Sequence, residues 1–440
     1  MHSKHHIIIA MALLIGSALT AAGQQLTLRD CLIYARDHAH SNVVSRLDAE
    51  GARLDARTAA AGIMPRISLS GNGNMSFGRN IDPETNTYDN KRTLSTAIGL
   101  NMSLPLFDGL VSINNLKASR ANARRQAVSA QIERDRVSLL VIKAFYNVSY
   151  HKALVAQMEQ QLQRDRGNLA ATVRGLELGI KSVADTAEVY AIVAADEYEL
   201  TNQRSLLAKA YLTLRSEAGM ELTDEPLDLI EEPTYTATDT VLPEADPSFI
   251  HPRIAEATEK VSESRYSLRA ARGSYSPTLS LSAGISTSYY RMMGSKVEAP
   301  DFSRQWHDNM GQYVGLSLSI PLFDGFATIN RARRASVNLR RSRAELEQAR
   351  YDTAREETEA ALDLASANEE YSSAKARYTA EQAAYAAVER KFQLGAASAI
   401  DLYAASAKLA TARATLEGKR IQSIINRITL DYYRGIPFIH

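Results

Sequence analysis

The sequence predicts a mainly α-helical protein built from two tandem repeats, each containing two long β-strands. Three observations support this fold class. A seven-residue motif occurs twice, as SLPLFDG from Ser103 and as SIPLFDG from Ser319. Polar and apolar residues alternate before each copy, which is typical of strands with one polar and one apolar face. Apolar residues recur every seven positions after each copy, which is typical of coiled-coil helices.

The amino terminus and the composition limit the classes of function. Residues 1–23 have the charged, apolar and small-residue order of a secretory signal peptide, and we expect them to be removed. The mature chain is then exported. With 51 basic and 50 acidic residues and a net charge of +1, the chain lacks the strong basic excess of a nucleic-acid binder. Cys31 is the only cysteine, which excludes an intramolecular disulfide.

The repeats set the expected domain boundaries. We expect the first repeat at 24–218 and the second at 248–440, each with the order helix, strand pair, long helix and second helix. An acidic segment that contains prolines, 219–247, lies between them. Proline interrupts helices, so we interpret this segment as an exposed connector.

Four strands are predicted, at about 66–77, 93–106, 278–290 and 311–322. Each is long enough for the ~9–11 residues that cross a bilayer. The polar face is rich in Ser, Gly, Asn and Thr, which suits a watery lumen, while the apolar face suits lipid. A soluble sandwich with one wet face is the alternative, and the export signal favours the membrane.

Four strands are too few for a membrane barrel of one chain. Small closed barrels need about eight strands, and an open edge in lipid leaves unpaired backbone groups. The chain is therefore expected to share its β-barrel with copies of itself. A dimer supplies eight strands and a trimer supplies twelve.

Each septet is predicted to join a strand to a long helix. Its proline removes a ladder donor, its phenylalanine suits a membrane boundary, and its aspartate can cap a helix. Its glycine permits a sharp change of direction. These joint residues are Pro105, Phe107, Asp108, Gly109, Pro321, Phe323, Asp324 and Gly325.

The long helices carry heptad seams. From Gly109 to Leu178 there is no proline, and seventy residues would span roughly 105 Å as a helix. The first seam is Val141, Val148, Val155, Leu162, Leu169 and Leu176, and the second is Leu364, Tyr371, Tyr378, Tyr385 and Phe392. We interpret the second as wide packing positions rather than a ligand-stacking site. At the intervening positions of the first helix, His151 and Asp165 do not fit an apolar seam. Shorter helices are expected at Leu26–Ile63, Val183–Ala218, Ser248–Tyr275 and Ala399–Tyr433.

This order of elements resembles the TolC-type outer membrane efflux protein family over essentially the whole mature chain. The matching motifs are LTLRDCLIYA at Leu26–Ala35, the two PLFDG turns, and LG-x5-D elements at Leu178–Asp185 and Leu394–Asp401. The resemblance implies a homotrimer with a twelve-stranded barrel in outer membrane lipid and a periplasmic α-barrel of coiled-coil helices. It implies a passive exit duct that joins a periplasmic adaptor (membrane fusion) protein to an inner membrane pump of RND or ABC type.

The resemblance also implies that the LG-x5-D elements are tight turns at a periplasmic tip that gates the channel and meets the adaptor. In each turn a glycine ends one helix, a serine caps the next, and an aspartate lies in its first turn. These tip residues are Gly179, Lys181, Ser182, Asp185, Phe392, Gly395, Ser398 and Asp401. Three copies of Asp401 would ring the entrance and favour cations; the alternative is a helix-start acid alone.

The tips depart from the family pattern at three positions. Ala397 stands where some members have a gating arginine, Ala404 where they have a second acid, and Phe392 where they have a gating tyrosine. The same hydrogen bonds are therefore not expected. We expect this gate to close by apolar packing or to rely on Lys181 and Asp185.

Enzyme chemistry is not predicted. The sequence has no P-loop, HExxH or G-x-S-x-G motif. His38 and His40 are two residues apart, so they do not share a helical face that would bind a metal. We predict no catalytic, cofactor-binding or metal-binding residue. The alternative function is a non-transport periplasmic coiled-coil scaffold or a structural envelope protein.

Overall fold

The computed structural model describes residues 26–81, 86–90, 92–223, 227–230, 248–294 and 300–438. The predicted signal peptide and most of the acidic connector lie outside these residues. The described elements divide into two compact units. The sheet unit comprises Asp48–Ala127 and Ala255–Ala349, and the helical unit comprises the described parts of Met1–Leu47, Val128–Ile254 and Arg350–His440.

The two repeats have the predicted order of elements. The first contains α1 (Leu28–His38), α2 (His40–Ala61), β1 (Arg66–Ser76), β2 (Arg79–Ile81), β3 (Tyr88–Asn90), β4 (Arg92–Phe107), α3 (Val111–Glu177) and α4 (Val183–Ala218). The second contains α5 (Pro252–Gly273), β5 (Thr278–Met293), α6 (Phe302–Asp308), β6 (Gly311–Ser319), α7 (Ala327–Gln393) and α8 (Ala399–Tyr433). The predicted fold class, mainly helical with four long antiparallel strands in two repeats, is confirmed. The β2–β3 hairpin and α6 were not predicted.

The four long strands form one antiparallel sheet in the order β1-β4-β5-β6. Strand β4 of the first repeat pairs with β5 of the second, so the sheet unites the repeats. The apolar face predicted from the alternation is exposed, with Leu69 at 74%, Val314 at 78% and Leu318 at 62% of full exposure. Among the described residues, β1 and β6 each have one edge without a neighbouring strand of the four-stranded sheet.

Helix α6 covers part of the β5 edge. Strand β6 pairs with β5 only as far as Ser286. Beyond that point the side-chain amide of Gln305 accepts from the Tyr290 N–H at 3.0 Å and donates to the Tyr290 carbonyl at 2.9 Å. Asn309 donates to the Ser288 carbonyl at 2.8 Å. These side chains supply hydrogen bonds that another strand would otherwise make, which protects an open edge.

The core of the helical unit lies where α1, α3, α4 and α8 meet. Buried apolar side chains from all four helices contact one another there, among them Cys31, Phe145, Leu214 and Ile424. Leu229, from a described part of the connector, also packs into this core and forms a parallel bridge with Leu26. The connector is therefore not exposed along its whole length, because its apolar side chains can join the core.

The predicted helix at Leu26–Ile63 is wrong as a single element. It breaks at Ala39, where ψ is 127°. At this break, Asn42 donates to the Ala35 carbonyl at 3.0 Å. Gly219, which ends α4, lies so close that a Cβ there would be 2.6 Å from the His38 carbonyl oxygen. The break thus depends on a contact with a distant segment, which local helix propensity does not encode.

The prediction that Pro105 ends its ladder is also wrong. Strand β4 continues to Phe107, with a register shift between Pro105 and Phe107. A proline is tolerated where a bulge removes the need for its missing donor. In the second repeat, by contrast, β6 ends at Ser319, before Pro321.

The aspartates of both joints accept hydrogen bonds at the start of the long helices. Asp108 accepts from the Ser112 N–H at 2.8 Å, and Asp324 accepts from the Thr328 N–H at 2.8 Å. Asp324 also accepts from the Thr328 hydroxyl at 2.5 Å. Phe107 is 45% and Phe323 is 77% exposed. Each joint therefore provides helix-end acceptors, and its phenylalanine projects from the protein.

Each joint turns through two consecutive left-handed residues. Gly109 has a φ of 68° and Leu110 a φ of 64°. Gly325 and Phe326 follow the same path at 64° and 67°. The second residue of each pair is not glycine and is strained by roughly 1–2 kcal/mol. Such a turn changes the chain direction within two residues, from strand to helix.

No helix of the described residues combines the length and the apolar character needed to cross a membrane.

We predict that Gly109→Ala prevents the sheet unit from folding, whereas Gly325→Ala only weakens it. A Cβ at Gly109 would lie 2.1 Å from the Gly273 carbonyl oxygen, so backbone would have to move. Gly325 has nothing within 4 Å of an added Cβ, so alanine there adds only the left-handed strain of roughly 1–2 kcal/mol. Thermal unfolding of the detergent-purified variants measures both effects. Equal losses of stability would contradict the close-approach argument.

Candidate functional site at the helical tips

Two helix reversals at the ends of the long helices form the candidate site. Helix α3 ends at Glu177 and α4 begins at Val183. Gly179 has a φ of 72°, and its N–H donates to the Leu176 carbonyl at 3.0 Å. The Ile180 N–H donates to the Gly175 carbonyl at 2.8 Å. This hydrogen-bond pair satisfies the last carbonyls of α3 and requires a left-handed residue at its centre.

The second reversal repeats this geometry. Gly395 has a φ of 73°, and its N–H donates to the Phe392 carbonyl at 3.0 Å. The Ala396 N–H donates to the Lys391 carbonyl at 2.8 Å. The duplicated LG-x5-D element thus folds the same way twice, because the same local residues make the same bonds.

Both following helices begin with a reciprocal capping box. The Asp185 N–H donates to the Ser182 hydroxyl at 3.1 Å, and the Ser182 N–H donates back to Asp185 at 2.8 Å. Ser398 and Asp401 make the corresponding bonds at 3.1 and 3.0 Å. Loss of a capping residue of this kind typically costs about 1 kcal/mol. The two aspartates therefore have a structural role in addition to any role in the channel.

The capping bonds keep both carboxylates ionised. Hydrogen bonds from the backbone and hydroxyl of Ser182 lower the pKa of Asp185 below its usual value. The hydroxyl and backbone of Ser398 lower the pKa of Asp401 in the same way. Asp401 is exposed to solvent. Each tip therefore carries a fixed negative charge at neutral pH.

One contact joins the two tips. The Lys181 ammonium lies over the Phe392 ring, 5.3 Å from its centroid. Both side chains are half-buried. The Lys181 stem crosses Gly175, where an added Cβ would lie 2.9 Å from the Lys181 Cγ. This is a cation–π geometry, in which a cation is attracted to the electron-rich face of a ring.

The sequence named Lys181 and Phe392 separately and did not pair them. The tip residues thus come together as two turns, each with a glycine, a serine and an aspartate, and one side-chain contact between the turns. Ala397 is half-buried and Ala404 exposed. Neither side chain can form the hydrogen bonds that the family pattern has at those positions. In the described residues no group of three or more His, Cys, Asp or Glu side chains could hold a metal ion.

Comparison with known proteins gives consistent results. The family model "Outer membrane efflux protein" matches the chain twice, at residues 35–220 and 250–435. Outer membrane protein TolC of Salmonella enteritidis is 22% identical over 400 residues, covering 89% of this chain and 78% of that protein. Outer membrane efflux protein BepC of Brucella suis is 23% identical over 341 residues, covering 76% and 69%.

Solved structures share the fold. The chain matches a crystal structure of CusC with a TM-score of 0.77 and 19% identity, covering 95% of both chains. It matches the CmeC outer membrane channel of Campylobacter jejuni with a TM-score of 0.79 and 14% identity, covering 93% of this chain and 86% of CmeC.

Proposed function

This chain belongs to the outer membrane efflux protein family, and we propose that the contact between its two tips holds the channel closed. Proteins of this family are the outer membrane channels of tripartite efflux systems. The chain is therefore an outer membrane channel with a periplasmic helical tunnel, and the scaffold alternative is not favoured. The finer points that follow are the trimer, the partners and the gate.

We propose that three copies share one barrel. The unpaired edges of β1 and β6 and the exposed apolar face of the sheet support this, because both need partners in lipid. Three chains of four strands would give the twelve-stranded barrel that the family resemblance implies. The two joints of each chain would then connect this barrel to the tunnel at six places.

The trimer predicts a measurable mass. Protein purified in mild detergent should have three chains per particle by light scattering and dissociate to single chains in SDS. A stable single chain in mild detergent would contradict the shared barrel.

The tips are also the proposed surface for the periplasmic adaptor. Leu178, Ile180 and Leu394 are exposed there at 68%, 75% and 78%. Exposed apolar side chains at a rigid turn are typical of interaction surfaces. The sequence contains no nucleotide-binding motif, so energy would come from an inner membrane pump of RND or ABC type that the adaptor joins to the channel.

The Lys181–Phe392 contact carries the gating proposal. It links α7 to the α3–α4 turn within one chain, so moving one hairpin away from the other must break it. It replaces the hydrogen bonds that Ala397 and Ala404 cannot make. A contact of this kind contributes about 0.5–1 kcal/mol at an exposed site. It favours the closed tip without making it permanent.

We predict that Lys181→Ala raises the open-to-closed ratio in planar-bilayer recordings by roughly two- to fivefold, the factor equivalent to that energy. Phe392→Ala should have a similar effect, and combining the two should add little. Lys181→Arg keeps a cation over the ring and should restore closure. Lys391→Ala removes a neighbouring tip charge outside this contact and is the matched control. An unchanged ratio in Lys181→Ala, or an equal change in Lys391→Ala, would refute the gating role.

We propose further that Asp401 lines the entrance as a ring of three carboxylates. Asp401→Asn removes the charge while keeping an oxygen that can accept the capping bonds. Block of single-channel current by divalent cations should weaken in this variant. Asp185→Asn, which removes the corresponding charge of the other tip, is the matched control. Unchanged block in Asp401→Asn would leave this aspartate as a capping residue only.

A further inference from the structure

The interface between α3 and α4 contains one polar layer that packing does not explain. The two helices meet through an apolar cluster in which Leu162, Val193 and Leu200 are buried. Asp165, one of the two misfits of the first seam, lies at this interface and is only 7% exposed. Asp196 of α4 is also 7% exposed. Two carboxyl groups are therefore buried in a seam that heptad packing would fill with apolar side chains.

The hydrogen bonds around the pair leave one oxygen unsatisfied. Gln161 donates to Asp196 Oδ1 at 3.0 Å, and Asn168 donates to Asp165 Oδ1 at 3.3 Å. The Asp165 carboxyl lies within hydrogen-bonding reach of Asp196. Asp196 Oδ2 is buried and has no hydrogen-bond partner among the described residues. Ionised carboxylates only accept hydrogen bonds, so two facing carboxylates have nothing to share unless one carries a proton.

The surrounding groups do not supply that donor. On α3, Arg164 attracts the charge of Asp196 but its side chain is exposed. On α7, the Tyr385 hydroxyl donates to Glu389 at 3.1 Å. Glu197, next to Asp196 on α4, pairs with Arg166 at 2.6 Å on the exposed side. Burial, and then the adjacent Asp165 carboxyl, raise the pKa of Asp196 to about 7.

We propose that Asp165 and Asp196 form a proton-binding site that holds α3 against α4 while the pair carries one proton. With the proton present, one carboxyl donates to the other and every buried oxygen has a partner. Without it, two negative charges face each other in a poorly solvated interface and repel. The site concerns the hairpin itself and does not depend on the contact between the tips.

The direction of the pH effect follows from the sign of the shift. The folded hairpin holds its proton up to about pH 7, whereas a separated aspartate releases it near the model value of 3.8. The pair therefore stabilises the closed hairpin fully below about pH 4, and this contribution is lost as the pH rises to about 7. His151 is the other titratable side chain of this interface, and burial lowers its pKa. Its effect on stability has the opposite sign, because a buried neutral imidazole loses stability as the pH falls.

Infrared difference spectroscopy of the full-length protein tests the site directly. The wild type should show the carbonyl stretch of a protonated carboxyl at pH 6 that disappears by pH 9, with a midpoint near 7. In Asp165→Asn the amide N–H can donate to the Asp196 carboxylate, so the band should be absent at both pH values. Glu197→Gln removes the exposed neighbouring carboxylate and should leave the band unchanged. A wild-type spectrum without the band, or an unchanged band in Asp165→Asn, would overturn the proposal.

A distance measurement tests the consequence for the hairpin. Spin labels on introduced cysteines at Gln163 of α3 and Tyr198 of α4, both exposed, report the separation of the helices. The distance distribution should be broader at pH 8 than at pH 5 in the wild type and independent of pH in Asp165→Asn. That variant retains His151, so a transition that survives in it belongs to another group and overturns the role of the aspartate pair.

Discussion

Reversal of a very long helix within a few residues is the constraint on which this protein depends. The last carbonyls of one helix and the first amides of the next have no partners within their own helices. A left-handed glycine satisfies the carbonyls, and a serine–aspartate box satisfies the amides only three residues later. Because both devices are local, each tip keeps its geometry whatever the rest of the channel does. Rigid turns of this kind are suited to be the moving ends of a gate.

The sequence predicted the parts that depend on local residues. The alternating strands, the long helices, the turns around Gly179 and Gly395 and the capping aspartates all follow from short patterns. What it did not predict depends on distant contacts. The break at Ala39 needs Gly219, the continuation past Pro105 needs β5 beside it, and Lys181 meets a ring far along the chain. Asp165 was recognised as a misfit, but an acidic residue on the exposed-looking surface of α4 gave no sign that Asp196 would face it.

Duplication supplied two similar halves, and divergence made them complementary. Lys181 in the first tip corresponds to Ala397 in the second, and Phe392 in the second long helix corresponds to Leu176 in the first. The cation and the ring therefore belong to different repeats, and the contact between tips cannot form within either hairpin alone. The same divergence gives the first hairpin a buried aspartate pair. One repeat thus contributes a titratable seam and the other an aromatic one, on a shared backbone plan.

The amide of Gln305 has a consequence beyond covering an edge. Side chains in a strand alternate between faces, so sliding a strand by one residue past its neighbour exchanges its two surfaces. Such a slip of β6 along β5 would turn Val314, Leu316 and Leu318 toward the polar side of the sheet. Gln305 occupies both backbone groups of Tyr290, where a longer or displaced strand would pair. One side chain therefore acts as a stop that fixes which surface of the last strand is inside and which is outside.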